Sequence, residues 1–301
     1  MTKPSASRML LERLIATKGF AVRSRPQDDA YWYTSNKPGP FYINTENIAG
    51  EQTETMLSAI TKVMQADLTH EERTRTICEI VMQEVRNDPG YRAAIDALVD
   101  DYRTSSSYQP TVISGGERRD WFFSIPVAAK MGLPHIYLFK SGEYFVTEAE
   151  GKPLELALEH QKVLHVADII NLASSYVTKW IPILRSTPAI FHETLSVAVR
   201  SQAGIDVLKQ HQVNVISPLI VGKPLFAEAL SLGLIPEFAH DEIHQYYDSP
   251  VEWTRSLLAG RDGAGDDDQH AGLDTRKAER IRHFRSTDPY GLKDNFPAYF
   301  A

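Results

Sequence analysis

An alternation of short apolar runs and helical stretches between residues 111 and 217 is the feature that most limits what this chain can fold into. The apolar runs predict strands, and the stretches between them repeat their apolar residues at helical spacing. The predicted strands are 111–114, 135–139, 162–166, 195–199 and 213–217, and the predicted helices are 122–131, 174–184 and 203–211. Strands that alternate with helices in this order favour a parallel sheet with both faces covered. We therefore predict an α/β core.

The sequence on either side of this core has a different character. A segment at 30–48, rich in tyrosine, tryptophan, proline and glycine, interrupts a mainly helical pattern and is expected to form a hood-like element. Thr69 and Glu72 have the spacing of a capping box, which predicts a helix start. The expected division is a mainly helical N-terminal region at 1–104, the α/β core at 105–235 and an irregular C-terminal extension at 236–301. A mobile acidic loop is predicted near 260–268.

Composition limits the kinds of partner. The formal net charge of −7 gives no general attraction for nucleic acid or an acidic membrane, so an anionic ligand would need local donors. Cys78 is the only cysteine in the sequence, which excludes a disulfide within the chain and favours a reducing compartment. The first residues do not resemble a secretion signal, and no apolar run reaches the ~18 residues of a membrane span. We expect a cytoplasmic protein that binds neither nucleic acid nor membrane.

A predicted strand, an acid and a loop of small and polar residues follow one another at 163–176. Ligands of parallel sheets bind at the carboxyl ends of the strands, and the amides of a helix start suit a phosphate. Asp168 could hold a sugar hydroxyl there, and Asn171, Ser174 and Ser175 could add side-chain donors. On spacing alone, a strand followed by a helix with an ordinary serine cap is the alternative.

This stretch resembles the phosphoribosyl pyrophosphate (PRPP) motif of type I phosphoribosyltransferases, in which apolar residues precede two acids and a Thr/Gly/Ser loop. The resemblance implies that Asp168 is a catalytic residue on the ribose hydroxyls and that the loop holds the 5′-phosphate. The loop residues are Asn171, Leu172, Ala173, Ser174, Ser175 and Tyr176. The chain departs from the motif at Ala167, which replaces the first acid, and at Ala173, where glycine would let the backbone approach phosphate closely.

Residues 36–44 are similar to the N-terminal signature of orotate phosphoribosyltransferase, in which a lysine and a glycine precede proline, two aromatic residues and asparagine. The resemblance assigns Lys37 to pyrophosphate and Phe41 and Tyr42 to the wall against the orotate ring. An aromatic wall and a cation suit a flat anionic ring. Without the resemblance, a Pro-Gly turn with aromatic residues in the core is the favoured explanation of the segment.

Two further segments match the same family in the same order along the chain. Residues 113–120 follow a predicted strand where the family has its pyrophosphate loop, so that Arg118 and Arg119 are expected to hold pyrophosphate. Residues 197–204 resemble the strand end at which an arginine meets the orotate carboxylate, which implies that role for Arg200. A solvated turn and a surface arginine are the alternatives when each segment is taken alone.

The order of these matches predicts a type I phosphoribosyltransferase fold: a mostly parallel central sheet flanked by helices, with a helical N-terminal region and an irregular C-terminal extension. The resemblance implies transfer of the phosphoribosyl group from PRPP to an anionic base such as orotate, with Mg²⁺ as cofactor and a homodimer as the assembly. No metal ligands are expected from the chain itself.

The segment at 139–151 is the main departure from that family. It corresponds to a mobile basic loop and keeps Lys140, a catalytic residue by resemblance, but it carries three glutamates and neither arginine nor histidine. Acidic side chains repel pyrophosphate. Two hypotheses therefore stay open: an active phosphoribosyltransferase, or a regulatory protein that binds a phosphorylated ribose or a nucleotide without turnover.

Overall fold

The computed structural model describes residues 5–260 and 275–300. The helices are α1 (Ala6–Ala16), α2 (Thr53–Gln65), α3 (His70–Asn87), α4 (Pro89–Ser105), α5 (Trp121–Met131), α6 (Ile181–Arg185), α7 (Gln202–Gln210), α8 (Lys223–Ser231), α9 (Glu237–Asp248), α10 (Pro250–Ala259), α11 (Thr275–Thr287) and α12 (Pro297–Phe300). A 3₁₀ turn covers Thr45–Ala49, and a π-helical turn, Tyr176–Trp180, leads into α6.

The strands are β1 (Phe20–Val22), β2 (Tyr31–Trp32), β3 (Pro38–Gly39), β4 (Phe41–Ile43), β5 (Val112–Gly116), β6 (His135–Leu138), β7 (Tyr144–Thr147), β8 (Lys162–Ile170), β9 (Ile190–Val199), β10 (Asn214–Ile216) and β11 (Leu219–Ile220). The chain divides into two compact units. The first is Met1–Gly19 with Asn44–Val221, and the second is Phe20–Ile43 with Gly222–Ala301. These boundaries differ from the expected ones at 104 and 235, and the hood-like segment is divided: 30–43 belongs to the second unit and 44–48 to the first.

The first unit is built on a seven-stranded sheet in the order β10-β9-β8-β5-β6-β7, with β11 also paired to β9. Every pairing is parallel except that of β6 with β7. The central strand β8 is buried from Val163 to Ala167, as expected for a parallel strand covered on both faces. The predicted mostly parallel sheet flanked by helices is confirmed.

Local sequence signals account for the helices before this sheet. The Thr69 hydroxyl accepts a hydrogen bond from the Glu72 N–H at 3.2 Å, and the Glu72 carboxylate accepts one from the Thr69 N–H at 2.9 Å. These bonds complete the predicted capping box at the start of α3. Asp88 caps α4 by accepting from the Tyr91 N–H at 2.9 Å, and Pro89 occupies a first-turn position that needs no N–H donor.

The second unit contains two small antiparallel ribbons, β1 with β4 and β2 with β3. Phe41 packs against Phe226 of α8, with ring centroids 4.8 Å apart, and stacks on Tyr247 of α9. The buried Arg23 forms an ion pair with Glu242 of α9. Long-range packing of aromatic residues thus ties the hood-like segment to the helices that follow residue 221.

The prediction of an irregular C-terminal extension is corrected for the described residues, which contain α9, α10, α11 and α12. Ala239 and Ile243 are fully buried at helical spacing on α9, a signal hidden by the many polar residues around them. The predicted acidic loop at 260–268 lies, except for Gly260, outside the described residues. Within the described ranges, no helix combines the length and apolar character that crossing a membrane requires.

Candidate ligand site

A cavity of about 470 Å³ opens in the first unit beside the ends of β5 and β8. Three segments line most of it: the loop 117–120 after β5, Lys140 after β6, and residues 167–176 at the end of β8 and beyond. The cavity therefore brings together Asp168, the whole predicted phosphate loop 171–176 and both predicted pyrophosphate arginines. Their roles in binding stay predictions, but these residues share one space.

The phosphate loop turns sharply at Ala173 and then begins a helix. Ala173 has a φ of 55°, in the left-handed region that favours glycine. The N–H of Val177 donates to the Ala173 carbonyl at 3.1 Å, so the amides at 174–176 precede the first helical hydrogen bond. Ala173 therefore adopts a conformation that favours glycine while adding a methyl group, and the residues of the helix start line the cavity.

Gly204 of α7 supports this loop from behind. A Cβ atom at this position would lie 2.1 Å from the Asn171 carbonyl oxygen and 2.9 Å from a methyl carbon of Ile170. The absence of a side chain therefore lets the helix backbone pack directly on the loop. This explains the glycine that follows Arg200 in the sequence.

We expect Gly204→Ala to lower the free energy of unfolding by about 1–2 kcal/mol and to weaken phosphate binding, because the new methyl displaces the Asn171 carbonyl. Alanine is otherwise the better helix residue, so helix propensity alone predicts the opposite sign. Urea unfolding and a phosphate titration measure the two effects. Gly260→Ala is the control, since its Cβ would meet its nearest atom at 3.6 Å. A stabilised Gly204→Ala protein would contradict this packing.

Two carboxyl groups meet at the end of β8. The Asp120 Oδ1 accepts a hydrogen bond from the Asp168 N–H at 3.1 Å, and its Oδ2 accepts one from the Gly116 N–H at 3.1 Å. Burial, followed by the neighbouring Asp120 charge, raises the pKa of Asp168 well above its ordinary value, although Arg119 acts in the opposite direction. Asp168 therefore holds its proton to a higher pH than an exposed aspartate does.

The two arginines of the loop are each held by one partner. The Arg119 Nε lies 2.7 Å from the Glu46 Oε1, and the Arg118 Nη1 donates to the Thr61 hydroxyl. Burial raises the pKa of the Glu46 carboxyl, while the two arginines lower it. A guanidinium has five N–H donors, so one contact fixes each side chain and leaves others for a ligand. The peptide bond between Glu117 and Arg118 is cis.

The acids beside these arginines bind backbone groups. The Glu117 carboxylate accepts a hydrogen bond from the Lys140 N–H at 3.0 Å, which ties the loop after β5 to the turn after β6. The segment 139–151 begins as a tight hairpin: the Phe139 N–H donates to the Glu143 carbonyl at 2.9 Å, and β6 pairs with β7. Tyr144–Thr147 of this segment form β7, in the part of the chain that the resemblance matches to a mobile basic loop.

The predicted residues of the hood-like segment lie in the second unit. The Lys37 ammonium is 4.9 Å from the centre of the Tyr290 ring, and Phe41 is buried in the aromatic core of that unit. Tyr42 is 40% exposed. Arg200 follows β9 in the first unit, where its N–H donates to the Ile170 carbonyl at 2.7 Å, but it does not line the cavity. Their assigned roles stay predictions.

Sequence reasoning missed three residues around the cavity. Glu46, which pairs with Arg119, lies in a 3₁₀ turn that carries no recognisable motif. His165 lies within a predicted strand, and Asp120 lies at the end of the segment that carries the predicted arginines. Strand β8 is buried on both faces, so the apolar residues around His165 indicate that it is buried, but no spacing in the sequence links it to Asp120.

The fold and the loop after β8 define a type I phosphoribosyltransferase fold, as the sequence predicted. Among solved structures, the chain is similar to the UMP synthase of Leishmania donovani, with a TM-score of 0.53 and 11% identity over 81% of this chain and 42% of that one. It is also similar to the orotate phosphoribosyltransferase of Francisella tularensis, with a TM-score of 0.52 and 11% identity over 80% of this chain and 98% of that one. At this identity the likeness is one of fold. No family model and no curated protein matches the sequence.

Proposed function

We propose that this protein binds PRPP in the cavity beside Asp168 and transfers its phosphoribosyl group to an anionic heterocyclic base such as orotate, with release of pyrophosphate. The observation that carries the proposal is the arrangement of one cavity, in which a carboxyl group, the start of a helix and two arginines lie together. Each matches a different part of the same ligand: sugar hydroxyls, a terminal phosphate and a pyrophosphate.

The chemistry divides among these groups. The amides at 174–176 and the hydroxyls of Ser174 and Ser175 hold the 5′-phosphate, and Asp168 accepts hydrogen bonds from the ribose hydroxyls. Positive charge develops at the sugar C1 as pyrophosphate leaves. Arg118, Arg119 and Lys140 stabilise the departing charge, and Arg forks suit its paired oxygens.

The residues proposed to bind the base, and one further pyrophosphate donor, come from segments that do not line this cavity. The proposal assigns the base to Phe41, Tyr42 and Arg200 and adds Lys37 to the pyrophosphate donors. The resemblance of residues 36–44 and 197–204 to the orotate family supports these assignments. A cytoplasmic location, expected from the composition and the first residues, and a homodimer, implied by the resemblance, belong to the same proposal.

Mg²⁺ fits this site as a companion of the substrate. The described residues contain no group of three or more side chains suited to hold a metal. Mg²⁺ commonly keeps several water molecules and binds through one or two carboxylates together with substrate phosphates, and Asp120 and Asp168 offer such carboxylates. When bound, the ion would neutralise pyrophosphate charge.

A second candidate function is a regulatory protein that binds a phosphorylated ribose or a nucleotide without turnover. Two observations favour it: Ala167 lines the cavity without a polar group, and the hairpin after Phe139 brings a single lysine to the site. Weak neutralisation of pyrophosphate would slow transfer but would leave binding of the sugar phosphate intact.

Titration calorimetry with Mg-PRPP, followed by an assay of pyrophosphate release with and without orotate, separates these candidates. We expect binding and base-dependent release. Asp96→Asn is the control, because it removes a surface carboxylate that pairs with Lys130, away from the lining of the cavity, and should leave release unchanged. Binding without release with any base supports the regulatory candidate. If neither PRPP nor ribose 5-phosphate binds, both candidates fail.

A further inference from the structure

The strand motif of β8 lacks one of its two acids, and a carboxyl group from another segment lies beside the acid that is kept. Ala167 lines the cavity but is 2% exposed and offers only a methyl group. Asp120, from the loop between β5 and α5, lines the same cavity and accepts the hydrogen bond of the Asp168 N–H. The sequence separates these two acids, and the fold brings them together.

The Asp120 side chain is fixed and still has acceptor capacity. Each of its oxygens accepts one backbone N–H, from Asp168 and from Gly116, both at 3.1 Å. A carboxylate has about four acceptor sites, so these two bonds leave room for a hydroxyl group or a metal-bound water. The side chain is 11% exposed, and the cavity is the space that it lines.

A buried histidine lies beside the Asp120 carboxylate. His165 is fully buried, its Nδ1 lies 3.0 Å from the Ser114 hydroxyl, and its Nε2 lies 3.5 Å from the Asp120 Oδ2. The Nε2 has no hydrogen-bond partner among the described residues. The Asp120 carboxylate is therefore held by two backbone N–H groups, lies beside the His165 ring and lines the cavity.

Two adjacent buried carboxylates repel each other, so one of them tends to keep its proton unless a ligand or a cation compensates the charge. The Asp120 charge contributes to the raised pKa of Asp168, and Arg119 and Glu46 are the other charged groups that act on the Asp168 carboxyl. Without a ligand, the proton that Asp168 keeps relieves this repulsion. When a ligand is bound, hydrogen bonds from two sugar hydroxyls, or a substrate-bound divalent cation, would do so instead.

We propose that Asp120 is the second carboxylate of the ligand site and works with Asp168 on a phosphorylated sugar that carries vicinal hydroxyl groups. Asp120 thus supplies, from the loop after β5, the group that Ala167 lacks. The inference rests on the proposed binding of a phosphoribosyl ligand. It does not depend on turnover.

The test compares ribose 5-phosphate with its 2-deoxy and 3-deoxy analogues and with inorganic phosphate, by calorimetry on wild type and Asp120→Asn. We expect Asp120→Asn to bind inorganic phosphate within about twofold of wild type and ribose 5-phosphate about tenfold more weakly. The preference for a hydroxyl is the ratio of the affinity for ribose 5-phosphate to that for the analogue that lacks this hydroxyl, and Asp120→Asn should lose it for one of the two hydroxyls. Glu117→Gln removes a charge from the same cavity and should keep both hydroxyl preferences.

Each outcome has one meaning. If wild type does not bind ribose 5-phosphate, the proposed function fails. If wild type binds it and Asp120→Asn keeps both hydroxyl preferences, or loses phosphate and sugar affinity equally, Asp120 only positions the loop and the inference is overturned. Should Asp120→Asn not fold, Asp168→Ala answers the same question: one hydroxyl preference is retained if Asp120 binds the sugar, and both are lost if Asp168 acts alone.

Discussion

Gly116→Ala is expected to lower the free energy of unfolding by about 3 kcal/mol, the upper part of the range for overpacked interiors. A Cβ atom at this position would lie 2.3 Å from the Trp180 ring and 2.7 Å from the Asp120 Oδ2. Trp180 is buried in the core beneath the cavity, and Asp120 is held by two backbone hydrogen bonds, so neither can retreat easily. Urea unfolding at neutral pH measures the change.

The same substitution should also remove ligand binding, because it pushes on the Asp120 carboxylate and on the start of the helix that carries Trp180. Gly222→Ala is the matched control: its backbone is extended, and its nearest contact would be an ordinary 3.8 Å to Pro224. We expect the control to lower stability by about 1 kcal/mol or less, because alanine replaces glycine at the N-cap of α8. Equal stability of the two variants would mean that the contact between Gly116 and Trp180 is not tight.

Asp168→Asn is expected to weaken ribose 5-phosphate binding about tenfold and, at neutral pH, to raise the free energy of unfolding. Burial and the Asp120 charge raise the pKa of Asp168 in the folded protein, whereas in the unfolded chain its pKa returns to the ordinary value. The folded state therefore binds this proton more tightly. The stabilisation that this proton provides is complete below the pKa that Asp168 has in the unfolded chain. It is lost as the pH rises through the pKa that Asp168 has in the folded protein.

Asparagine cannot ionise, so the variant escapes that loss. Its advantage over wild type should grow as the pH rises from below the unfolded pKa of aspartate towards neutrality. Unfolding measured across this range, with Asp96→Asn as the exposed control, reports the trend. An advantage that does not vary with pH would show that ionisation of Asp168 does not limit stability, and unchanged sugar affinity would mean that the ligand lies elsewhere.

The sequence predicted the sheet well because its strands carry local signals, but it placed some strand ends wrongly where buried polar groups lie. Strand β8 was expected to end at 166, before the acid, yet it continues to Ile170. Strand β9 begins at Ile190 rather than at 195 and includes Glu193, whose buried carboxylate accepts hydrogen bonds from Tyr102 and Asn214. These partners are remote in sequence, so no local pattern could indicate that polar residues are accommodated within a strand.

The candidate site was predictable in the part that is formed by consecutive residues. The run at 163–176 is continuous, so its acid and its loop could be recognised together, and the cavity includes both. The contacts of Glu46 with Arg119 and of Asp120 with Asp168 depend on how separate loops meet. The grouping of the hood-like segment with α8 and α9 depends on aromatic packing, which periodicity along the chain does not encode.

The second unit consists of two segments that lie far apart in the sequence, and this affects how the protein is synthesised on the ribosome. Phe20–Ile43 is synthesised early, but the residues that bury it begin at Gly222, after nearly all of the first unit has emerged. At about 5–20 residues per second, the exposed aromatic side chains of this segment wait roughly ten seconds or more for their partners. We expect nascent chains that stop before residue 222 to bind chaperones through this segment, and release of the whole chain to end that exposure.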